Sequence, residues 1–383
     1  MKSINYVMKI GIIAVGYGDF FDASEKEKKT YYENSFISTK RALQEVGMSR
    51  SDVDIFIEAS IDLFAGRLIS NMYTCTAIGS YLKDETNTAE DSTLALIYAY
   101  MKLKSGLFDV AVVNSSVGLD VDYIYASTTI FDPFIYRPLS MNYLTSLAMQ
   151  ASSYKSNFRI DEEYAAKIVE NNRSNASKNP RAFLKEKVSI DEVLKSEYII
   201  WPLRELMLPK LISGSVSLII ATEDIAKRYN DSPIWIEDVA WCTDGYYLGT
   251  KKLSFLTPLY KAARKVYNTL GIENPAKEID LFEISDVTPY HQMMSYEALK
   301  LTPIGKGYEL IDKDPLSINL SGGNISTYLF QASGLFRIAE AFLQLSYKAG
   351  NNQIEKAEKA LIHGFTPIAG ASTQTHSVIL LGV

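Results

Sequence analysis

The chain has 383 residues, 47% of them hydrophobic and 22% charged, with a formal net charge of -6. This is the balance of an ordinary globular protein, long enough for two domains or one large duplicated one. The acidic balance excludes a nucleic-acid binder, which needs a basic face, and no apolar run reaches the length of a membrane span.

Residues 1–15 carry no small-residue cleavage site, so they read as a first strand and not as a signal peptide. That strand is Lys9-Ile10-Gly11-Ile12-Ile13-Ala14-Val15, with Met8 as an alternative start. A helix then ends at Ala42-Leu43-Gln44-Glu45-Val46-Gly47, where the glycine stands at the place of a C-cap. The strand Asp54-Ile55-Phe56-Ile57-Glu58-Ala59 follows. Residues 69–81 read as helical and contain Cys75. After Asn87-Thr88-Ala89-Glu90-Asp91-Ser92-Thr93 comes a helix through Met101, then Ser105-Gly106-Leu107-Phe108-Asp109 and the apolar strand Val110-Ala111-Val112-Val113.

The same plan recurs further on. A helix ends at Tyr267-Asn268-Thr269-Leu270-Gly271, and the strand Asp280-Leu281-Phe282-Glu283-Ile284 follows. A helix across residues 335–343 precedes the strand Lys359-Ala360-Leu361-Ile362-His363. Alternating strands and helices imply right-handed crossovers and a mainly parallel sheet in each half. The halves are expected at residues 8–225 and 232–383. Between their cores, an insertion over residues 118–212 holds a helix from Glu162 to Lys178, then Asn179-Pro180-Arg181-Ala182, Val188-Ser189-Ile190-Asp191-Glu192-Val193-Leu194 and Trp201-Pro202-Leu203.

Four segments of the second half stand out: Glu283-Ile284-Ser285-Asp286-Val287-Thr288, Tyr296-Glu297-Ala298-Leu299, Asn319-Leu320-Ser321-Gly322-Gly323 and Ala332-Ser333-Gly334-Leu335. In order and spacing they resemble the thiolase family, above all its sterol-carrier-associated and archaeal members. Those read E-x-H-D-x-F-T, a y-E-A-L-x-L helix, N-P-S-G-G and G-H-P-x-G-A-T-G. The insertion resembles the family's loop domain. The resemblance implies an α/β thiolase fold: duplicated βαβαβ halves in αβαβα layers, with a loop domain that helps wall an acyl-CoA tunnel.

The family's chemistry is missing at each position. The nucleophilic cysteine of the family sits at a helix N-terminus, where dipole and backbone N–H groups favour the thiolate; here Ala89 takes that place. Ser285 replaces the first histidine, beside a retained Asp286. Tyr328 or Leu329 stands at the second, where bulky Tyr328 and Phe330 are expected to fill the pocket. The C-terminal C-x-G is matched by Gly364-Phe365-Thr366-Pro367-Ile368-Ala369-Gly370, without a cysteine. Glu90 and Asp91 read first as caps of the following helix, with a replacement nucleophile or base as the second reading, to which Ser92 also belongs. His291 reads as a helix residue before a catalytic one. His363, His376 and Cys242 read as structural. Three scattered histidines give no metal-ligand spacing, and no cofactor is expected beyond a CoA or acyl-CoA ligand.

Asp286, Ser321, Gly322 and Gly323 are the substrate-binding positions the resemblance implies. The expected protein is a thiolase-like, non-catalytic or regulatory subunit or acyl-CoA binder. The alternative is an acyl-CoA-dependent transferase, hydrolase or decarboxylase with non-standard residues. Its expected partners are a second copy or an active thiolase, joined through a sheet edge near residues 110–114. A zinc-ribbon/OB-fold protein and hydroxymethylglutaryl-CoA synthase come with the archaeal resemblance. Two cysteines give no disulfide framework and fit a cytoplasmic setting.

Overall fold

The computed structural model describes residues 8–22, 29–311, 317–366 and 368–383. Twelve strands are present among them: β1 (Ile10–Tyr17), β2 (Ile55–Ala59), β3 (Asp84–Thr88), β4 (Val110–Val117), β5 (Tyr198–Ile200), β6 (Leu203–Arg204), β7 (Gly214–Thr222), β8 (Ile234–Thr243), β9 (Leu281–Glu283), β10 (Ser317–Ile318), β11 (Lys359–Phe365) and β12 (Thr375–Gly382). All but β5 and β6 form a ten-stranded sheet in the order β10-β9-β11-β12-β8-β1-β7-β4-β2-β3.

That order is one five-stranded pattern written twice. In the first half β1 pairs antiparallel with β7, β7 antiparallel with β4, β4 parallel with β2, and β2 parallel with β3. In the second half β8, β12, β11, β9 and β10 repeat every pairing and every direction. The halves meet edge to edge through the antiparallel pairs Gly11↔Trp235 and Ile12↔Ile234. A Cβ at position 11 would lie 3.1 Å from both the Trp235 ring and Pro233, so glycine lets the seam close tightly there.

The strands are apolar on both faces because both faces are covered. Ile55, Ile57, Ala111 and Val113 point to a central core, and Phe56, Val110 and Val112 to an outer one under the helix Tyr31–Glu45. The helix Thr257–Leu270 covers β8 and β12 in the same way. Between the two sheet halves lie the helices Ser92–Lys104 and Ser333–Leu345, packed on each other and on strands of both halves. This is the αβαβα layering that the resemblance implies.

The helix Ser333–Leu345 is buried at every residue, yet it carries the polar stripe Arg337, Glu340 and Gln344. Each is spoken for inside the protein. Glu340 accepts from Arg181 (2.6 Å), Asn179 (2.8 Å) and the Tyr17 hydroxyl (2.7 Å). Gln344 donates to the Asn352 carbonyl at 2.7 Å. Arg181 and Asn179 belong to the insertion, which leaves the sheet after β4 and rejoins it at β7, so the Glu340 cluster ties that insertion to the core. Its helix Glu162–Lys178 starts where Asp161 accepts from the Glu163 N–H, as an N-cap should.

One expectation is corrected. Residues 110–114 belong to β4, which is interior, flanked by β7 and β2 and buried throughout. The outer edge of the first half is β3, whose residues are part-exposed. Among the described residues no helix is long and apolar enough to cross a membrane.

Candidate active site

The turn from β3 into the helix Ser92–Lys104 places Ala89 at the surface and Asp91 in the interior, 1% exposed. Asp91 is the helix cap that the sequence suggests: its carboxylate accepts from the Thr93 N–H (3.0 Å) and the Thr93 hydroxyl (2.6 Å). Its own N–H donates to the Thr366 hydroxyl at 2.9 Å. The other carboxylate oxygen faces Arg337 Nη2 at 3.5 Å. Burial pushes the Asp91 pKa up, and Arg337 opposes that rise. Gly334 seals the pair, since a Cβ there would sit 2.2 Å from Asp91 Oδ1.

Glu90 is not a cap. Its carboxyl is pushed up by burial, is held by hydrogen bonds to Thr366 and Thr375, and keeps one buried oxygen without a partner. Neither cysteine belongs to this turn. Cys75 is on the helix Asn71–Ile78 and Cys242 on β8, and both are part-exposed. Cys242 stands near the end of β8 and packs, part-exposed, against the core cluster under the helix Thr257–Leu270.

Arg337 leads from Asp91 to the retained Asp286. Its Nη1 donates to Asn324 Oδ1 at 2.8 Å, and the Asn324 N–H donates to Asp286 Oδ1 at 2.6 Å. Asp286 also accepts from Asn172 of the insertion at 2.8 Å. Burial raises its pKa to about 6 against these donors. Ser285 has its hydroxyl 3.3 Å from Asn324 Nδ2 and its carbonyl 3.1 Å from His291 Nδ1. Arg337, Asn324 and Asn172 were not singled out from the sequence. A lone arginine on an amphipathic helix reads as solvent-facing until the helix is known to be covered all round.

The three histidines are scattered in sequence only. β11 and β12 pair antiparallel and bring His363 and His376 to 2.8 Å between Nε2 and Nδ1. His291 completes a fully buried cluster, with ring centroids 5.1, 5.6 and 5.8 Å apart and planes within 15° of parallel. Such near-parallel rings do not converge on one point. No group of three or more His, Cys, Asp or Glu among the described residues could hold a metal ion. Burial drives all three pKa values down, that of His291 to about 4.

The Ser321-Gly322-Gly323 turn is spent internally. Ser321 donates its N–H and hydroxyl to Glu283 at 3.0 and 2.5 Å. Gly323, at φ 65°, leaves a space that a Cβ would close to 2.4 Å from Asp286 Oδ2. Tyr328 is 3% exposed and packs with Phe330, which also meets Phe64, Tyr123 and Tyr143. Pro367 of the C-terminal loop lies outside the described residues.

Glu283 yields a stability prediction. Burial raises its carboxyl to about 8. A raised acid contributes stability that is complete below the ordinary carboxyl pKa and lost as pH rises through the folded value. Glu283→Gln stays neutral and keeps an acceptor for the Ser321 N–H. The variant is expected to gain about 1–3 kcal/mol on the wild type between pH 5 and 9. Urea denaturation across that range checks it, and parallel curves for the two proteins would refute it.

Comparison with known proteins places this geometry. Residues 243–382 match the family model described as Thiolase C-terminal domain-like. An acetyl-CoA acetyltransferase of Methanothermobacter thermautotrophicus is 24% identical over 96% of this chain and 97% of its own length. Over its whole length the chain is similar to thiolases, and its second half matches their C-terminal domain. Sterol carrier protein 2 of Gallus gallus is 32% identical over 54% of this chain but only 40% of its own, longer one. Among solved structures, one described as Ltp2-ChsH2(DUF35) aldolase superposes with a TM-score of 0.83 over 98% of both chains at 18% identity, a likeness of fold. Within that fold, Ala89, Ser285 and Tyr328 or Leu329 are the positions where the sequence resemblance expects a cysteine and two histidines.

Proposed function

We propose that the chain is a thiolase-fold subunit without cysteine-based carbon–carbon bond chemistry, acting as a non-catalytic or regulatory member of an acyl-CoA-handling assembly. The observation that carries this reading is the nucleophile turn. Ala89 offers no thiol, and Asp91 behind it is fixed by Thr93 and Arg337 in the interior. Removing one member of a catalytic unit leaves the others little to do, which fits the loss of both histidines as well. The assembly is supported by the outer edge of β3, which pairs with no strand among the described residues and lies near the exposed Met72, Tyr81 and Leu82. An open sheet edge flanked by apolar side chains favours strand pairing with another chain. A second copy, an active thiolase, a zinc-ribbon/OB-fold protein and hydroxymethylglutaryl-CoA synthase are the partners to test. The similar fold named for Ltp2 together with ChsH2 is consistent with a heteromer.

A second reading rests on Glu90. A carboxyl with a raised pKa and an unpartnered oxygen, next to the exposed Ala89, has the properties of a general acid or base. It would serve an acyl-CoA-dependent transferase, hydrolase or decarboxylase.

Thiolysis of acetoacetyl-CoA is expected to stay at background for the wild type and also for Ala89→Cys, because the restored thiol has no histidine to activate it. Wild-type thiolysis well above background overturns the first reading. Turnover of any acyl-CoA that Glu90→Gln abolishes establishes the second.

A further inference from the structure

Beyond Asp286, away from the nucleophile turn, an open cleft of about 550 Å³ separates the insertion from the second half. The helix Glu162–Lys178 presents Asn171, Asn172, Asn175 and Lys178 to it, and Gln292 and Tyr296 of the helix Pro289–Ala298 stand opposite. That volume takes a small metabolite. Among the described residues, no carboxylate lines it.

The direction of one hydrogen-bond chain is forced. Asn172 Nδ2 lies 2.8 Å from Asp286 Oδ2 and 2.8 Å from Gln292 Oε1. A carboxylate oxygen accepts, so Asn172 presents its nitrogen there, and Gln292 must turn its oxygen inward and its nitrogen outward. That nitrogen donates to the Tyr296 hydroxyl at 2.6 Å. Tyr296 oxygen is therefore the acceptor, and its O–H is left to donate. It has no acceptor among the described residues. Lys178, exposed on the same cleft, forms no ion pair among them.

A buried phenol aimed into a cleft with a free proton, beside the Asn171 amide and an ammonium without an ion pair among the described residues, matches an acceptor-rich anion. We propose that this cleft binds a small metabolite bearing a phosphate or carboxylate group. The anion accepts from the Tyr296 O–H and pairs with Lys178, and the amide of Asn171 holds its polar body, while Asn175 is spent on the Ile318 and Asn319 carbonyls. Because Tyr296 is wired through Gln292 and Asn172 to Asp286, the bound anion settles the outer end of the same network that Arg337 and Asp91 close from within.

Calorimetric titration of the full chain with glycerol 3-phosphate and with citrate tests this. Saturable binding of at least one probe is expected, with Kd below about 1 mM. Glycerol 3-phosphate alone would assign the phosphate class and citrate alone the carboxylate class. Lys178→Ala, a surface change that leaves the melting temperature unaltered, and Tyr296→Phe should each weaken binding at least tenfold. Absence of saturable binding by both probes overturns the proposal, as does binding that Lys178→Ala leaves unchanged. Neither result bears on the nucleophile turn, so this site and the proposed function stand or fall separately.

Discussion

Arg337→Met is expected to destabilise the protein by about 3–5 kcal/mol, the cost of removing one partner from a buried ion pair. Arg337 is 1% exposed, and Asp91, 3.5 Å away, is equally inaccessible. Without the guanidinium, Asp91 is left as a buried carboxylate supported only by Thr93 and Gly334, and Asn324 Oδ1 loses its donor. The pair itself need not be worth that much. Taking two charges out of water offsets most of their attraction, so a neutral replacement of both is far cheaper than loss of one. Asp91→Asn keeps an oxygen for the helix cap, so Arg337→Met combined with Asp91→Asn should recover at least half of the single-variant loss. Urea denaturation at pH 7.5 of the wild type, both single variants and the double variant measures this coupling. A loss under 1 kcal/mol for Arg337→Met, or strict additivity in the double variant, would show that no buried ion pair organises the site.

The reach of the sequence is clearest where local rules and burial agree. Glu162–Lys178 has the same ends in the structure as in the sequence reading, because Asp161 starts the helix and Asn179 leaves it for Glu340. Gly271 closes its helix in the left-handed region at φ 68°, as a C-cap glycine does. The duplication was legible because each half repeats helix, glycine and apolar strand in one order. What was hidden is lateral. Continuous apolar strands such as 110–114 do not say which neighbours they have, so the sequence places an edge near a strand that the sheet buries in its interior. The histidine cluster was hidden for a related reason. Register between β11 and β12 sets His376 across from Phe365 and beside His363, and nothing in the spacing of positions 291, 363 and 376 reveals that. Arg337 was hidden by its own helix, whose amphipathic pattern normally marks a solvent face.

Acidification is expected to unfold the protein through the histidine cluster, and His291→Phe to blunt that response. All three imidazoles are fully buried and held neutral, His291 with a pKa lowered to about 4 and His363 and His376 well below their ordinary value. A group with a depressed folded pKa contributes stability that is complete above its unfolded pKa, near 6.5, and is lost as pH falls toward the folded value. For His291 that loss amounts to about 3 kcal/mol between pH 6.5 and 4. The others add in the same direction, because each imidazolium would face further cations. Arg337 acts on His291 and His363, and Lys251 on His376. The phenyl ring of His291→Phe keeps the contact with Phe365, whose ring lies 4.7 Å away, but forfeits the bond to the Ser285 carbonyl. It should therefore cost about 1 kcal/mol at pH 8 and become the more stable protein below about pH 5. Urea midpoints at pH 8, 6.5, 5.5 and 4.5 give the two slopes. Equal slopes for variant and wild type would mean that His291 takes up its proton without cost, and that the cluster is open to water in a way its burial denies.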